Sequence, residues 1–294
     1  MRVCDYIAQR LAKEGITHAF AVQGAANNDL IYAIADTPGI DYKCLVHEQA
    51  AGFAAEGWAK VRGTTGCAIA TSGPGGQNLV TCIANCFYDS VPVLFITGQV
   101  SSKFMRPADD SRLRQVGFQE TPMHLIAAPI TKHSVCIKDP RDIQYELELA
   151  LWACREGRPG PVLLDIPVDV QRTEIELESL PKFGVPYYSD GTPQDAAEGF
   201  VQSFLRAERP ALLIGGGVRG GRAIDAFHTL AEALKVPCFP TWNALDVVTS
   251  DSSYYCGRVG TYGGAGRNFA VQNCDLLLAV GCRLSGRITG GNVG

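Results

Sequence analysis

The sequence lacks most of the features that mark a secreted, membrane or nucleic-acid-binding chain. No run approaches the ~18 apolar residues of a membrane span. The N-terminus, Met1-Arg2-Val3-Cys4-Asp5-Tyr6, has no uninterrupted apolar stretch of the kind a signal peptide needs. Neither sign of charge dominates. Lys and Arg number 26 against 30 Asp and Glu, a net charge of −4, which gives no electrostatic basis for a nucleic acid or anionic membrane partner. Only 19% of residues are charged and 46% are hydrophobic, which excludes a disordered chain. No C-x-x-C pair occurs among the 11 cysteines, and an odd number cannot pair completely within one chain. The expectation is a cytoplasmic protein whose thiols act as small buried hydrophobes in a reducing compartment, with no metal-ligating residues predicted. No Gly-Lys-Ser/Thr follows a glycine loop at P-loop spacing, which disfavours a Walker-type hydrolase.

What is abundant is glycine, at 32 residues, and length: 294 residues correspond to about two domains at roughly 100 to 200 each. Val3, Ile7 and Leu11 recur at helical spacing, and Gly15 stands where a C-terminal cap would. Beyond it, short apolar runs (19–22, 42–46, 67–71, 91–97) alternate with longer periodic stretches (30–34, 50–61, 77–86), the pattern of a parallel sheet with helical crossovers. Val162 to Ile166 reads as the last strand of this unit. The stretch 174–198 loses periodicity and carries Pro181, Pro186, Gly191 and Pro193. A second α/β unit follows, with strands at 211–214, 236–239 and 276–280. The predicted fold class is α/β: a doubly wound parallel-sheet domain over 1–172, a linker over 173–195, and a second, Rossmann-like domain over 196–294 that is incomplete at its C-terminus.

Three constellations carry chemistry. In Val46-His47-Glu48-Gln49, a carboxylate leaves a strand end and enters the first turn of a helix, where open α/β sheets place ligands. An acid there is equally explained by the helix macrodipole, worth about 0.3 to 1 kcal/mol. His47, pointing away from its neighbour, is expected to pack. In Thr71-Ser72-Gly73-Pro74-Gly75-Gly76-Gln77-Asn78, glycines between a strand and a helix permit close backbone approach by a ligand, although an ordinary turn uses the same residues. Gly215, Gly217 and Gly220 satisfy G-x-G-x-x-G, but no acidic partner is clear about 20 residues on.

Taken in order, these segments resemble the thiamine diphosphate-dependent enzymes of the acetolactate synthase (acetohydroxyacid synthase) group over almost the whole chain. The resemblance rests on Val46-His47-Glu48-Gln49 with Ala54-Ala55-Glu56-Gly57, Thr71-Ser72-Gly73-Pro74-Gly75, Ile96-Thr97-Gly98-Gln99, and Gly117-Phe118-Gln119-Glu120. It continues through Gly157-Arg158-Pro159-Gly160-Pro161, Asp165-Ile166-Pro167-Val168-Asp169, Trp242-Asn243-Ala244, Gly260-Thr261-Tyr262-Gly263 and Gly281-Cys282-Arg283. It implies that the first domain binds the aminopyrimidine ring and that Glu48 is the catalytic glutamate. Glu48 would hydrogen-bond a ring nitrogen and so promote activation of the cofactor toward a 2-keto acid. Gly24, Pro74 and Asn78 match positions against the same ring, and Gln119 matches an active-site glutamine. Gly24-Ala25-Ala26 departs from the common Gly-Gly-Ala, with an expected effect on packing rather than chemistry.

The resemblance further implies FAD in some members, contacted through Gly216, Gly217, Gly260, Thr261 and Arg283. It implies decarboxylation of a 2-keto acid, carboligation to an acceptor, and a homo-oligomer. In the family a third domain supplies the diphosphate and magnesium site, beginning at a Gly-Asp dipeptide that does not occur here. Truncation is therefore expected, ahead of a split enzyme with a separate diphosphate-binding chain, and the chain alone is expected to be inactive. The alternatives are a nicotinamide-dependent oxidoreductase using 215–221 and a non-catalytic partner subunit.

Overall fold

The computed structural model describes residues 1–107, 112–186 and 193–291. The chain divides into two compact units, Met1–Val185 and Pro186–Gly294.

The first unit is a six-stranded sheet in the order β2-β1-β3-β4-β6-β5. Its strands are β1 (His18–Ala21), β2 (Asp41–Cys44), β3 (Gly66–Ala70), β4 (Val93–Gln99), β5 (His133–Cys136) and β6 (Val162–Pro167). All its strand pairs are parallel. The helices are α1 (Val3–Lys13), α2 (Asn28–Ala35), α3 (Glu48–Arg62), α4 (Pro74–Asn78), α5 (Val80–Asp89), α6 (Met123–Ala127), α7 (Ile143–Arg155) and α8 (Val168–Arg172). Every residue of β3, β4 and β6 is buried, as strands covered by helices on both faces must be, which is why they read as continuous apolar runs. Leu94 and Ile96 enter one core with α1, α2 and α7. Val93 and Phe95 enter the other with α3 and α5.

α1 forms as its apolar stripe predicts, with Val3, Ile7 and Leu11 buried, and Gly15 beyond it takes a φ of 77°. α3 ends at Gly63 in the left-handed region. Three expectations shift. β2 was expected as an apolar strand at 42–46, but Asp41–Cys44 is an exposed edge strand. The helix expected from 77 begins at Pro74, because proline's fixed φ suits a first turn. β5, too short and polar to show a strand period, pairs with β6 at the other edge. The boundary between the units lies between Val185 and Pro186, after the stretch 173–185. The first part of that stretch packs on the first unit: Val3 donates to the Thr173 carbonyl at 3.0 Å, and Ile175 and Leu180 are buried there. Residues 187–192 of the expected linker lie outside the described residues.

The second unit has β7 (Pro210–Ile214), β8 (Cys238–Pro240) and β9 (Leu276–Val280) in the parallel order β8-β7-β9. Its helices are α9 (Pro193–Phe204), α10 (Gly217–Gly220), α11 (Ile224–Leu234), α12 (Ala265–Gln272) and α13 (Gly286–Thr289). Leu212 and Ile214 pack with α11, whereas Ala211 and Leu213 face the opposite cluster, where Val271 of α12 packs.

Both sheets share one topological device. The chain leaves β1 for β2 on one side and returns to β3 on the other; it leaves β7 for β8 and returns to β9 in the same way. Loops at the C-terminal ends of β1 and β3, and of β7 and β9, meet at these switch points, where open α/β sheets place ligands. No helix among the described residues is long and apolar enough to cross a membrane.

Candidate active site

At the first switch point the loop after β1 is held by a buried asparagine. Asn27 accepts from the Gly24 amide at 2.8 Å and donates to the Val22 carbonyl at 2.9 Å. A Cβ on Gly24 would lie 2.5 Å from the Thr71 side chain, so only glycine lets the β1 and β3 loops approach this closely. Thr71 completes the contact by accepting from the Ala26 amide at 3.2 Å.

Glu48 is the first residue of α3. His47 caps that helix, its Nδ1 accepting from the Gln49 amide at 3.1 Å while the ring stays exposed. The packing role expected for His47 is therefore corrected: an extended residue before a helix turns its side chain toward the free amides of the first turn. Asn78, at the end of α4, donates Nδ2 to Glu48 Oε2 at 2.8 Å. Glu48 Oε1 accepts no hydrogen bond among the described residues. A Cβ on Gly75, if present, would lie 3.3 Å from it. Glu56 in the same helix differs: it is buried, accepts from Lys60 and takes both Asn85 bonds. Of these two helix carboxylates, Glu48 alone keeps an oxygen for a ligand.

Pro74 opens α4 directly after Gly73, whose φ is 61°, and a Cβ on Gly73 would lie 2.3 Å from the Gln119 carbonyl oxygen. Gln119 itself takes a φ of 55°, a left-handed conformation costly for a non-glycine residue. Its side chain is exposed, and its loop is held by Glu120, which accepts from the Arg106 and Val116 amides at 2.6 and 3.1 Å. The structure thus joins Gly24, Pro74, Asn78, Glu48 and the backbone of Gln119 through Thr71, Gly73 and Gly75. Asn27 escaped the sequence reading, and Thr71 entered it only as the first residue of the glycine turn. A polar residue three positions after a loop glycine was the available signal for Asn27.

At the second switch point the glycines face the chain's own backbone. A Cβ on Gly215 would lie 2.0 Å from the Gly281 oxygen, and one on Gly217 would lie 2.8 Å from the Gly281 Cα. The Gly217 amide donates to Gly281 at 3.0 Å, and Gly216 abuts the Asn243 carbonyl. Gly260, at a φ of 103°, abuts the Arg287 carbonyl, to which the Thr261 amide donates at 2.8 Å. Asn268 clamps both backbone groups of Gly260, at 2.9 and 3.0 Å. Trp242 and Tyr262, both exposed, face each other at 5.4 Å with the Arg287 guanidinium over both rings. Gly216, Gly217, Gly260 and Thr261 therefore belong to one interlocked set of loops beside the exposed Arg283. The glycine motif opens only the four-residue α10, and Asp246 is bound by Arg219. A dinucleotide fingerprint of the nicotinamide type needs a long helix and a free ribose-binding acid there, so that alternative is not favoured.

Residues 1–125 match the thiamine pyrophosphate enzyme N-terminal TPP binding domain, and residues 198–293 match the central domain of the same enzymes. The chain is 37% identical over 290 residues to the acetolactate synthase isozyme 2 large subunit of Escherichia coli, covering 99% of this chain and 51% of that protein. It is also 37% identical over 296 residues to a probable acetolactate synthase large subunit of Methanocaldococcus jannaschii, covering 99% and 48%. An acetolactate synthase large subunit of Corynebacterium glutamicum shows 37% identity over 273 residues, covering 92% and 42%. The chain spans about half the length of the curated relatives it matches. With their N-terminal and central domains in order and acetolactate synthase large subunits among its relatives, the chain belongs to the thiamine pyrophosphate enzymes, in the acetolactate synthase-like group.

Proposed function

We propose that this chain supplies the aminopyrimidine-binding half of an enzyme that decarboxylates a 2-keto acid and joins the acyl unit to an acceptor. One observation carries the proposal: Glu48 stands at the switch point, fixed through Oε2 by Asn78, with Oε1 left open beside Gly75. The donor set fits a ring that offers nitrogen atoms: one carboxyl, a glycine loop without intruding side chains, and apolar neighbours in the chain at Val46, Phe53 and Phe118. Thiamine diphosphate, when bound, supplies the electron sink for loss of carbon dioxide. Glu48 holds a proton at Oε1 against a ring nitrogen. Asn78 orients that carboxyl, and Pro74 and Gly24 shape the walls of the crevice. Gln119 is assigned to the substrate side of the site.

FAD at the second switch point is the finer part of the reading. It is supported by the aromatic pair Trp242–Tyr262, the cations Arg283 and Arg287, and the loops at Gly216, Gly217, Gly260 and Thr261. A flat, doubly negative dinucleotide suits rings beside guanidinium groups. Magnesium enters as the counter-ion of the diphosphate, and none of the residues named here is assigned to it. A cytoplasmic location and a homo-oligomer belong to the same proposal; the exposed Val46, Phe104 and Phe118 support the oligomer. The test is turnover of pyruvate with thiamine diphosphate and magnesium, measured as acetolactate or acetaldehyde in a full-length enzyme or a complex that includes the diphosphate-binding domain, alongside flavin absorbance of the purified protein. Turnover lost in Glu48→Gln supports the reading, and unchanged turnover refutes it. Flavin that fails to bind at saturating concentration removes the FAD part alone.

A further inference from the structure

We propose that His124, Cys136 and Asp165 form a binding site for a divalent cation of the zinc type, separate from the thiamine and flavin positions. The three come from three elements of the first unit. Cys136 on β5 and Asp165 on β6 are register partners in the parallel pair, and His124 lies on α6, which packs against those strands. One ligand atom from each residue lies within 4.8 Å of the other two. His124 Nδ1 is 3.7 Å from Asp165 Oδ2; it is buried and has no hydrogen-bond partner. A buried ring nitrogen without a partner is costly, and a cation among these donors removes that cost.

The electrostatics point the same way. Asp165 is completely buried, and no Lys or Arg pairs with it among the described residues. A buried carboxylate held by neutral donors alone has no cation to balance its charge. A divalent cation bound by a carboxylate, a thiolate and a neutral imidazole leaves the group electrically neutral, and the thiol proton is released to solvent on binding.

The donor set selects the ion. Sulfur and imidazole nitrogen with one carboxylate suit zinc or cobalt(II) and not magnesium or calcium, which take oxygen ligands. A bound zinc at about 2.0 to 2.3 Å from each donor draws the three atoms inward by roughly 1 Å, within reach of side-chain rotation. The supporting shell already exists. Thr97 donates to Asp165 Oδ1 at 2.8 Å and Gln99 to Oδ2 at 3.1 Å, and Gln99 also donates to the Thr121 carbonyl at 2.6 Å. Such outer partners orient metal ligands. Partial exposure of the His124 side chain gives the ion a path in and leaves a fourth position for water. The site joins the edge strand β5 and the helix α6, which follows the Gln119 loop, to β6. Its role is to pin that loop. The assignment runs against the sequence expectation that the cysteines serve only as small hydrophobes.

The test uses the full chain stripped of metal by a chelator and then titrated with zinc and with cobalt(II). Stoichiometric zinc should survive gel filtration, and cobalt should give a thiolate-to-metal charge-transfer band. Cys136→Ala and His124→Gln should each abolish the band and cut zinc affinity by at least about tenfold. Cys44→Ser, at an exposed thiol elsewhere, should change neither. Metal-free circular dichroism establishes that each variant is folded. Failure of the parent chain to retain zinc, or retention equal in Cys136→Ala and His124→Gln, overturns the site. Metal binding unchanged in Glu48→Gln keeps the outcome separate from the thiamine reading.

Discussion

Glu48→Gln separates chemistry from fold with the least disturbance. The replacement keeps the length and shape of the side chain, and its amide oxygen still accepts from Asn78 Nδ2 where Oε2 does now at 2.8 Å. What disappears is the acid group whose Oε1 is proposed to hold a proton once the ring is bound. The structural cost has two parts: loss of a negative charge at a helix N-terminus, about 0.3 to 1 kcal/mol, and a charged hydrogen bond reduced to a neutral one, about 1 kcal/mol. At roughly 2 to 4 °C per kcal/mol for a chain of this size, the melting temperature falls by only a few degrees. A positioned acid or base contributes about 10² to 10⁴ in rate, or roughly 3 to 5 kcal/mol, so turnover should drop by that factor. The assay is initial-rate consumption of pyruvate at saturating thiamine diphosphate and magnesium, in a full-length enzyme or a complex that includes the diphosphate-binding domain, paired with a thermal melt. Glu48→Asp, which keeps the proton but withdraws it by one methylene, should fall between the two. Turnover of Glu48→Gln within a few-fold of the parent refutes the role. So does a loss of rate matched by general unfolding.

Three further outcomes are expected. Gly98→Ala places a Cβ 2.0 Å from the Ala26 carbonyl oxygen and should cost about 2 to 3 kcal/mol, whereas Gly57→Ala, in a helix with no atom within 4 Å, should stabilise by about 0.5 to 1 kcal/mol; chemical denaturation reads both. Asp5, held below its ordinary 3.8 by hydrogen bonds from Arg2, has a folded-state pKa lower than the unfolded one. Its contribution is therefore present above about pH 4 and lost as pH falls through the lowered folded-state value, so Asp5→Asn should cost a few tenths of a kcal/mol at pH 7 and progressively less as the solution is acidified. Thiol labelling at pH 8 followed by peptide mapping should modify Cys44 and Cys256 first. Cys67 and Cys154, raised to about 12 by burial, should stay unmodified until the chain unfolds.

The architecture was legible where burial on both faces wrote continuous apolar runs, as in β3, β4, β6 and β7, and where glycines marked the loops between them. β2 and β5 were misjudged or missed because edge strands carry exposed or mixed residues such as Asp41, Lys43, His133 and Ser134. Glu48 by spacing alone was no better than an ordinary helix-end acid. Its significance came from resemblance, and the geometry added Asn78 on one oxygen and Gly75 beside the other. The glycines at 215–217 and 260 illustrate the opposite case. Their sequence pattern matches ligand-facing loops, yet their missing side chains make room for Gly281, Asn243 and Arg287. Contacts such as Asn27 with Val22 and Gly24, or His124 with Asp165, join residues whose pairing no periodicity reveals.

The central claim, that the β1–β3 crevice holds the aminopyrimidine ring against Glu48, is tested most directly by a crystal structure with thiamine diphosphate bound. A ring nitrogen about 2.6 to 3.2 Å from Glu48 Oε1, with Asn78 still on Oε2, is the predicted result. A ring bound elsewhere, or one that leaves Glu48 Oε1 facing solvent, contradicts it.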